Sequence, residues 1–154
     1  MKLLSALAAA FIVILVPASV VAQSNRIGTF DRQTMVVAYY RSPQWADVLK
    51  AKQAELTEAK RANDQAKIQA LNSWGQQSQE LAHEQFSGEA SITNIMDALQ
   101  PAFAEIEKSA NVANVVPCPC PEIKAQAVDV TPQLLDWLKA DANTRKIIRE
   151  LPKK

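Results

Sequence analysis

Apolar residues recur with the spacing of an α-helix in two consecutive stretches of the chain, 43–61 and 65–85. In the first stretch, which is interrupted at Lys52, the apolar positions are Trp45, Val48, Leu49, Leu56 and Ala59. In the second stretch they are Ile68, Leu71, Leu81 and Ala82. Residues three or four positions apart lie on one face of a helix, so each stretch predicts an amphipathic helix.

The two predicted helices are separated by Asn63 and Asp64, which can reverse the chain. Asn tolerates the left-handed backbone conformation, and Asp can cap the helix that follows. A rival turn lies at residues 72–75. We prefer the first turn, which predicts an antiparallel hairpin with a first helix of roughly 19 residues and about 28 Å. Ser42 and Pro43 suit the N-cap and first turn of that helix.

A third apolar stripe follows, with spacings that alternate between four and three residues: Ile92, Met96, Leu99, Phe103, Ile106 and Ala110. This heptad-like pattern is typical of a helix that forms a core or an oligomer seam. Ser91 is predicted to cap the helix. Pro101 lies inside the stripe and is expected to kink or interrupt it. The helical hairpin and its return are therefore expected over residues 43–110.

Short segments of β character flank the helical region. We predict strands at 27–30, at 112–116 before Pro117, and at 125–130. Shorter helices are predicted at 35–40 after an Asp31 cap, at 133–140 after a Thr131-Pro132 cap, and around Ile147, Ile148 and Leu151. The fold class is therefore α+β and mostly helical, with a long hairpin on a small β-sheet body. A sheet this small is marginal alone, so we expect self-association to complete the core.

The first 22 residues have the pattern of a cleavable signal peptide. Lys2 precedes an apolar run from Leu3 to Val16, Pro17 ends the run, and small residues lead to Ala22. A membrane anchor is the alternative, but the run is shorter than the roughly 20 apolar residues that a span requires. We expect residues 23–154 to form one exported domain.

Charge excludes one class of partner. Without Lys2, the chain carries 16 basic and 16 acidic residues and has no dominant basic face, so we expect no nucleic-acid binding. Residues 43–90 are slightly acidic, whereas 139–154 are basic. Contact of this basic tail with anionic lipid is one interpretation, and solubility alone is another.

Cys118 and Cys120 are separated by Pro119 and followed by Pro121. Three interpretations stay open for this pair. A disulfide would close a very small, strained ring. A metal site would need further ligands, which one chain with a single His and two Cys cannot supply as a four-ligand zinc site. A rigid connection without chemistry is the third interpretation.

Nothing else in the chain indicates catalysis. His83 lies beside Glu84 on a predicted helix and is interpreted as a solvated surface residue. The motifs of serine hydrolases and zinc proteases are absent from the sequence, and with three Gly in all it contains no glycine-rich phosphate-binding loop. We therefore expect no enzymatic activity, no catalytic residues and no cofactor. Trp74 either contacts a partner or packs across the hairpin.

Three segments carry a resemblance to a known family. Ile27–Asp31, Ala38–Arg41 and Asp129–Thr131, with the layout of strand, helical hairpin, strands and helix, resemble the Skp/OmpH family and its branch of short OmpH-like secreted proteins. The resemblance implies a periplasmic protein that binds unfolded outer-membrane proteins or other envelope proteins without ATP. It also implies a homotrimer with a β-rich body and helical tentacles around a cavity. The family has no catalytic residues to transfer.

Three features of this chain differ from the family pattern. The hairpin is short and slightly acidic, whereas well-known members are strongly basic, and the Cys-Pro-Cys-Pro segment is an addition. The alternative hypothesis is therefore a structural or interaction module of the envelope with the same fold. A weaker alternative is metal or thiol chemistry at Cys118 and Cys120. Residues that contact a client are not assigned by the sequence.

Overall fold

The computed structural model describes residues 26–118 and 127–152. The elements, in chain order, are β1 (Ile27–Asp31), α1 (Arg32–Tyr40), α2 (Pro43–Arg61), α3 (Gln65–Ser87), α4 (Thr93–Ala110), β2 (Val115–Cys118), β3 (Ala127–Asp129), α5 (Thr131–Trp137) and α6 (Ala142–Arg149). The mostly helical α+β class is thereby confirmed. The predicted signal peptide at 1–22, and Cys120, lie outside the described residues.

The three strands of the described chain form one parallel sheet in the order β2-β1-β3. Gly28 of the central strand is in register with Val115 on one side and Val128 on the other. All three strands therefore end at the same edge, where Asp31, Cys118 and Asp129 lie. Parallel pairing requires long crossover connections, and α1 to α4 occupy the connection from β1 to β2.

The core lies between the sheet and helices α1, α4 and α5. Phe30 of β1 packs against Phe103 of α4, with ring centroids 6.4 Å apart. The largest apolar side chains that are almost fully buried are Phe30, Met35, Ile95, Leu99, Leu134, Leu138 and Val130. Most of the apolar stripe predicted from Ile92 onward therefore packs inside a single chain.

Helices α2 and α3 form the hairpin, which we define as Pro43–Ser87. The prediction that the chain turns at Asn63 and Asp64 is confirmed. Asn63 has a φ of 53°, and the Asp64 carboxylate accepts a hydrogen bond from the backbone N of Lys67 at 3.0 Å. We call the sheet with α1, α4, α5 and α6 the body. The predicted range 43–110 thus comprises the hairpin and α4, which belongs to the body.

Helix α4 differs from the prediction at two residues. Ile92, not Ser91, occupies its N-cap position, without a side-chain cap; the Ser91 hydroxyl instead accepts from the backbone N of Thr93 at 3.2 Å. Pro101 does not interrupt the helix. Its side chain is exposed while Leu99, Ala102 and Phe103 are buried around it, so core packing holds both halves of α4 despite the missing backbone donor.

The bounds of β2, α5 and α6 also differ from those predicted from the sequence. Strand β2 starts at Val115 and includes Pro117, which an edge strand tolerates because a donor facing away from the sheet is not needed. Val130, not Thr131, is the N-cap of α5; the Thr131 hydroxyl accepts from the backbone N of Asp31 at 3.2 Å. Helices α5 and α6 each begin earlier than predicted.

Candidate functional site

The hairpin is attached to the body through a buried glutamine near the end of α3. Gln85 is 0% exposed. Its side-chain amide donates to the backbone O of Ser91 at 2.6 Å and to Oδ1 of Asn94 at 2.5 Å. Its Oε1 accepts from the hydroxyl of Tyr40 at 2.9 Å. The amide is thus fully engaged, as a buried polar group must be, and it joins α3 to α1 and α4.

Two side chains of α1 complete this attachment. The Arg32 guanidinium donates to the backbone O of Gln85 at 3.2 Å and also to the backbone O of Ala90. The side-chain amide of Gln33 donates to the backbone O of Phe86 at 3.1 Å. The bonds to Gln85 and Phe86 occupy carbonyls that the last turn of α3 leaves unpaired. The hairpin is therefore fixed to the body by directional contacts at its base.

Four aromatic residues pack where the hairpin leaves the body. The ring of Trp45 lies 5.8 Å from that of Tyr39, 4.8 Å from that of Tyr40 and 6.1 Å from that of Trp74. Trp74 is half-buried and stacks on Trp45 across the hairpin. Of the two interpretations of Trp74, packing across the hairpin is the one that the structure favours.

The burial of this cluster affects its ionisable groups. Burial raises the pKa of Tyr39, and neighbouring Tyr40 raises it further. Burial also raises the pKa of Tyr40, with a hydrogen bond from Asn94 acting in the opposite direction. Both hydroxyls therefore stay protonated over the physiological range, and the Tyr40 hydroxyl keeps its role as a donor to Gln85.

A groove of about 620 Å³ runs along the hairpin between α2 and α3. Its apolar lining is Leu49, Leu56, Leu71 and Trp74, and its polar lining is Lys52, Gln53, Asn72, Gln76 and Gln79, with Gly75 between them. The ammonium of Lys52 is 2.9 Å from the carboxylate of Glu55 and 5.8 Å from the centroid of the Trp74 ring. The groove is therefore close to neutral.

The hairpin buries very little of itself. Among the residues of α2 and α3, Ala59 and Gln85 are buried. Three large apolar side chains stay exposed: Val48 at 38%, Leu49 at 45% and Leu81 at 36%. Apolar surface on a projecting element can be covered by another molecule with a gain in free energy. We call these three residues the exposed apolar set.

The other residues singled out in the sequence lie apart from the groove. His83 is exposed on α3, in agreement with the prediction of a surface residue. Cys118 is half-buried at the end of β2, and because Cys120 lies outside the described residues, the disulfide and metal interpretations stay predictions. In residues 26–118 and 127–152, no three His, Cys, Asp or Glu side chains are grouped to hold a metal ion. None of the described helices is long and apolar enough to cross a membrane.

Sequence reasoning missed the residues that organise this region. Gln85 carries no local signal of its role, because its burial depends on α1 and α4, which are distant in the chain. Arg32 carried no signal either. Gly75 was noted only as part of a rival turn, although a lone glycine inside a strong helical pattern is a signal in itself.

Comparison with known proteins identifies no relative of this chain. No protein-family model matches it, and no curated protein or solved structure is significantly similar to it. The similarity to the Skp/OmpH family therefore stays a prediction from short segments and element order.

Proposed function

We propose that the mature protein is a periplasmic holdase of the Skp/OmpH type, which binds unfolded outer-membrane or other envelope proteins without ATP. The observation that carries the proposal is the projecting hairpin, which buries little and keeps Val48, Leu49 and Leu81 exposed. In this proposal the body is the association module, and the hairpin is the client-binding arm of a homotrimer.

The mechanism is physical and reversible. Apolar segments of a client cover the exposed apolar set and thereby leave water. Full burial of one such side chain contributes about 1.5–3 kcal/mol. Since the three side chains are 36–45% exposed, covering them contributes roughly 2–4 kcal/mol.

That free energy supports weak binding by one hairpin, since a dissociation constant of 1 mM corresponds to about 4 kcal/mol. Several hairpins on one oligomer raise the effective concentration of the second and third contacts. A trimer would therefore hold a long unfolded chain much more tightly than one subunit. Weak individual contacts would also allow release without an energy source.

The test is suppression of aggregation of a denatured β-barrel protein by residues 23–154, followed by light scattering. Wild type in stoichiometric excess is expected to suppress aggregation. The triple variant Val48→Ser, Leu49→Ser, Leu81→Ser is expected to lose most of this effect. The matched control is Ala46→Ser, Ala54→Ser, Ala70→Ser, at exposed positions of the same two helices. Wild type without any effect on aggregation would end the proposal.

A structural or interaction module of the envelope is the second candidate. The charge of the hairpin supports it, because residues 43–87 carry five basic and six acidic residues. Two of the four cations of α2 are also paired, Lys52 with Glu55 and Arg61 with Glu58, the latter at 2.6 Å. Little positive charge is then left to attract clients over a distance. Capture from a native periplasm separates the candidates: one folded partner indicates a module, and many unfolded barrels indicate a holdase.

A further inference from the structure

We propose that the groove around Gly75 is a binding site for a short, extended and uncharged peptide segment with alternating apolar side chains. This inference rests on the proposed function, because it locates the contact between the hairpin and a client. It adds a residue-level prediction that the family resemblance does not contain.

The first observation is a glycine, Gly75, at a helix position where no neighbouring atom requires one. It lies in the interior of α3, a helix of 23 residues, where glycine is among the least favourable residues. A Cβ atom built on Gly75 would meet no atom within 4 Å. Nothing in the described part of the chain therefore requires glycine there. A residue without a side chain beside a groove leaves room for the backbone of another molecule to approach closely.

The polar lining is the second observation. Gln53, Asn72, Gln76 and Gln79 each carry an amide with two donor hydrogens and an acceptor oxygen. All four side chains are exposed, so a bound molecule can replace the water around their amides. An extended peptide presents backbone N–H and C=O groups at regular intervals, so such amides can bind it without reading its sequence.

Charge indicates which peptides fit. Lys52 is the charged residue in the lining, and Glu55 pairs with it. A charged peptide side chain in the groove would lose water without gaining an opposite charge. An uncharged segment avoids this cost, and its apolar side chains can contact Leu49, Leu56 and Leu71.

The length of the groove agrees with a segment of about four residues. From Leu71 to Gln79, α3 rises by about 12 Å. Four residues of an extended chain span about 13 Å. Successive side chains of such a segment point to opposite sides, so an alternating pattern places its apolar residues on the floor of the groove. Unfolded strands of membrane β-barrels have this pattern.

The test uses a fluorescently labelled ten-residue peptide of alternating Val and Ser, titrated with residues 23–154. Gly75→Leu fills the groove and is expected to weaken binding about tenfold or more, as overpacking of a site does. Ser73→Leu is the matched control, because it adds a similar volume on the same helix about 200° away around its axis. This control is expected to bind within about twofold of wild type.

Folding is controlled by thermal melting. Leu favours the helix more than Gly does, and the space at Gly75 is open, so the Gly75→Leu variant is expected to melt no lower than wild type. A variant that is stable but does not bind cannot be explained by misfolding. An alternating Val and Glu peptide is expected to bind at least about tenfold more weakly than the Val and Ser peptide.

Three outcomes would overturn the inference. The first is equal binding of the peptide by wild type and the Gly75→Leu variant. The second is a change in the solution mass of that variant, which would indicate a second copy of this chain in the groove. The third is no preference for the uncharged peptide. Failure of this inference is distinguishable from failure of the proposed function. The holdase could act through Val48 and Leu81 with a blocked groove, and the peptide could bind to a protein without holdase activity.

Discussion

Gln85 illustrates at the scale of a single residue how a polar side chain can determine the placement of a whole element. It lies at the end of a polar helix and is nevertheless buried, with three hydrogen bonds from or to its side chain. Because these bonds reach α1, α4 and the segment between α3 and α4, one amide sets the position of the hairpin base.

Replacing Gln85 by Leu is expected to lower the free energy of unfolding by about 2–4 kcal/mol. The change removes the three hydrogen bonds of the buried amide, which join Gln85 to the Tyr40 hydroxyl, the Ser91 carbonyl and Oδ1 of Asn94. Chemical denaturation of the variant measures the loss. Gln77→Leu is the matched control, since Gln77 is exposed on the same helix; equal losses in the two variants would contradict the role of the buried amide.

The two glycines Gly28 and Gly75 should respond oppositely to the same substitution. A Cβ on Gly28 would lie 3.1 Å from a methyl of Val115 and 3.2 Å from the Asn114 carbonyl O. Gly28→Ala is therefore expected to destabilise the protein by about 1–3 kcal/mol. Gly75→Ala is expected to stabilise it by up to about 1 kcal/mol, because the space is open and Ala favours the helix. Thermal melting of both variants measures the difference, and a loss for both would contradict it.

Helices α1 and α2 follow the caps that local sequence signals predict. The carboxylate of Asp31 accepts from the backbone N of Thr34 at 2.7 Å, and the Ser42 hydroxyl accepts from that of Trp45 at 3.3 Å. These caps could be predicted because a cap involves residues three positions apart. The start of α4 could not, because it is set by contacts of Ile92 and Ile95 with the distant core.

The stability of the protein should depend on pH in the acidic range through Asp141, the N-cap of helix α6. The backbone N of Thr144 donates to the Asp141 carboxylate at 2.6 Å, and this bond holds the pKa of Asp141 below its ordinary value of 3.8. The ionised form is favoured in the folded state, so its contribution is complete above pH 3.8 and is lost as pH falls through the lowered pKa.

Asp141→Ala is therefore expected to be less stable than wild type at neutral pH, with a difference that shrinks in strong acid. Urea denaturation at several pH values measures this convergence. Asp141→Asn is the control, because Asn caps helices without titrating. The cap of this variant contributes equally at every pH, so the stability of wild type relative to the variant is expected to fall in strong acid. A difference between Asp141→Ala and wild type that stays constant with pH would contradict the prediction.

The whole molecule depends on assembly for its proposed activity. If the proposed holdase function holds, we expect residues 23–154 to have the solution mass of a trimer, because the resemblance to the Skp/OmpH family implies a cavity between three hairpins. Light scattering with and without reductant measures this mass. A mass that is insensitive to reductant agrees with assembly through the body. A monomer would remove the cavity of the holdase proposal and favour the interaction module.

In the disulfide interpretation of Cys118 and Cys120, we expect residues 23–154 from an oxidising compartment to contain no titratable thiol until reductant is added. Titration of thiols in the native protein, with and without reductant, measures it. Two titratable thiols without reductant would contradict the disulfide. Metal analysis of the same sample tests the weaker hypothesis of a metal site.

The sequence by itself determined the helical hairpin and its turn. The apolar spacing of α2 and α3, with Asn63 and Asp64 between them, involves neighbours in the chain, whose physical preferences hardly depend on the rest of the molecule. The same holds for the mostly helical α+β class, which follows from the order of helical and β segments.

The tertiary structure alone decided how distant segments meet. The pairing of β1 with β2 and β3 joins residues about 90 to 100 positions apart, such as Thr29, whose hydroxyl donates to the backbone O of Val128 at 3.4 Å. The place of Pro117 in an edge strand, the continuity of α4 through Pro101 and the burial of Gln85 depend on such contacts. The local preference of Pro is against a strand or a helix interior, and that of Gln is for the surface. At these positions the free energy of packing in the folded core exceeds the local preference.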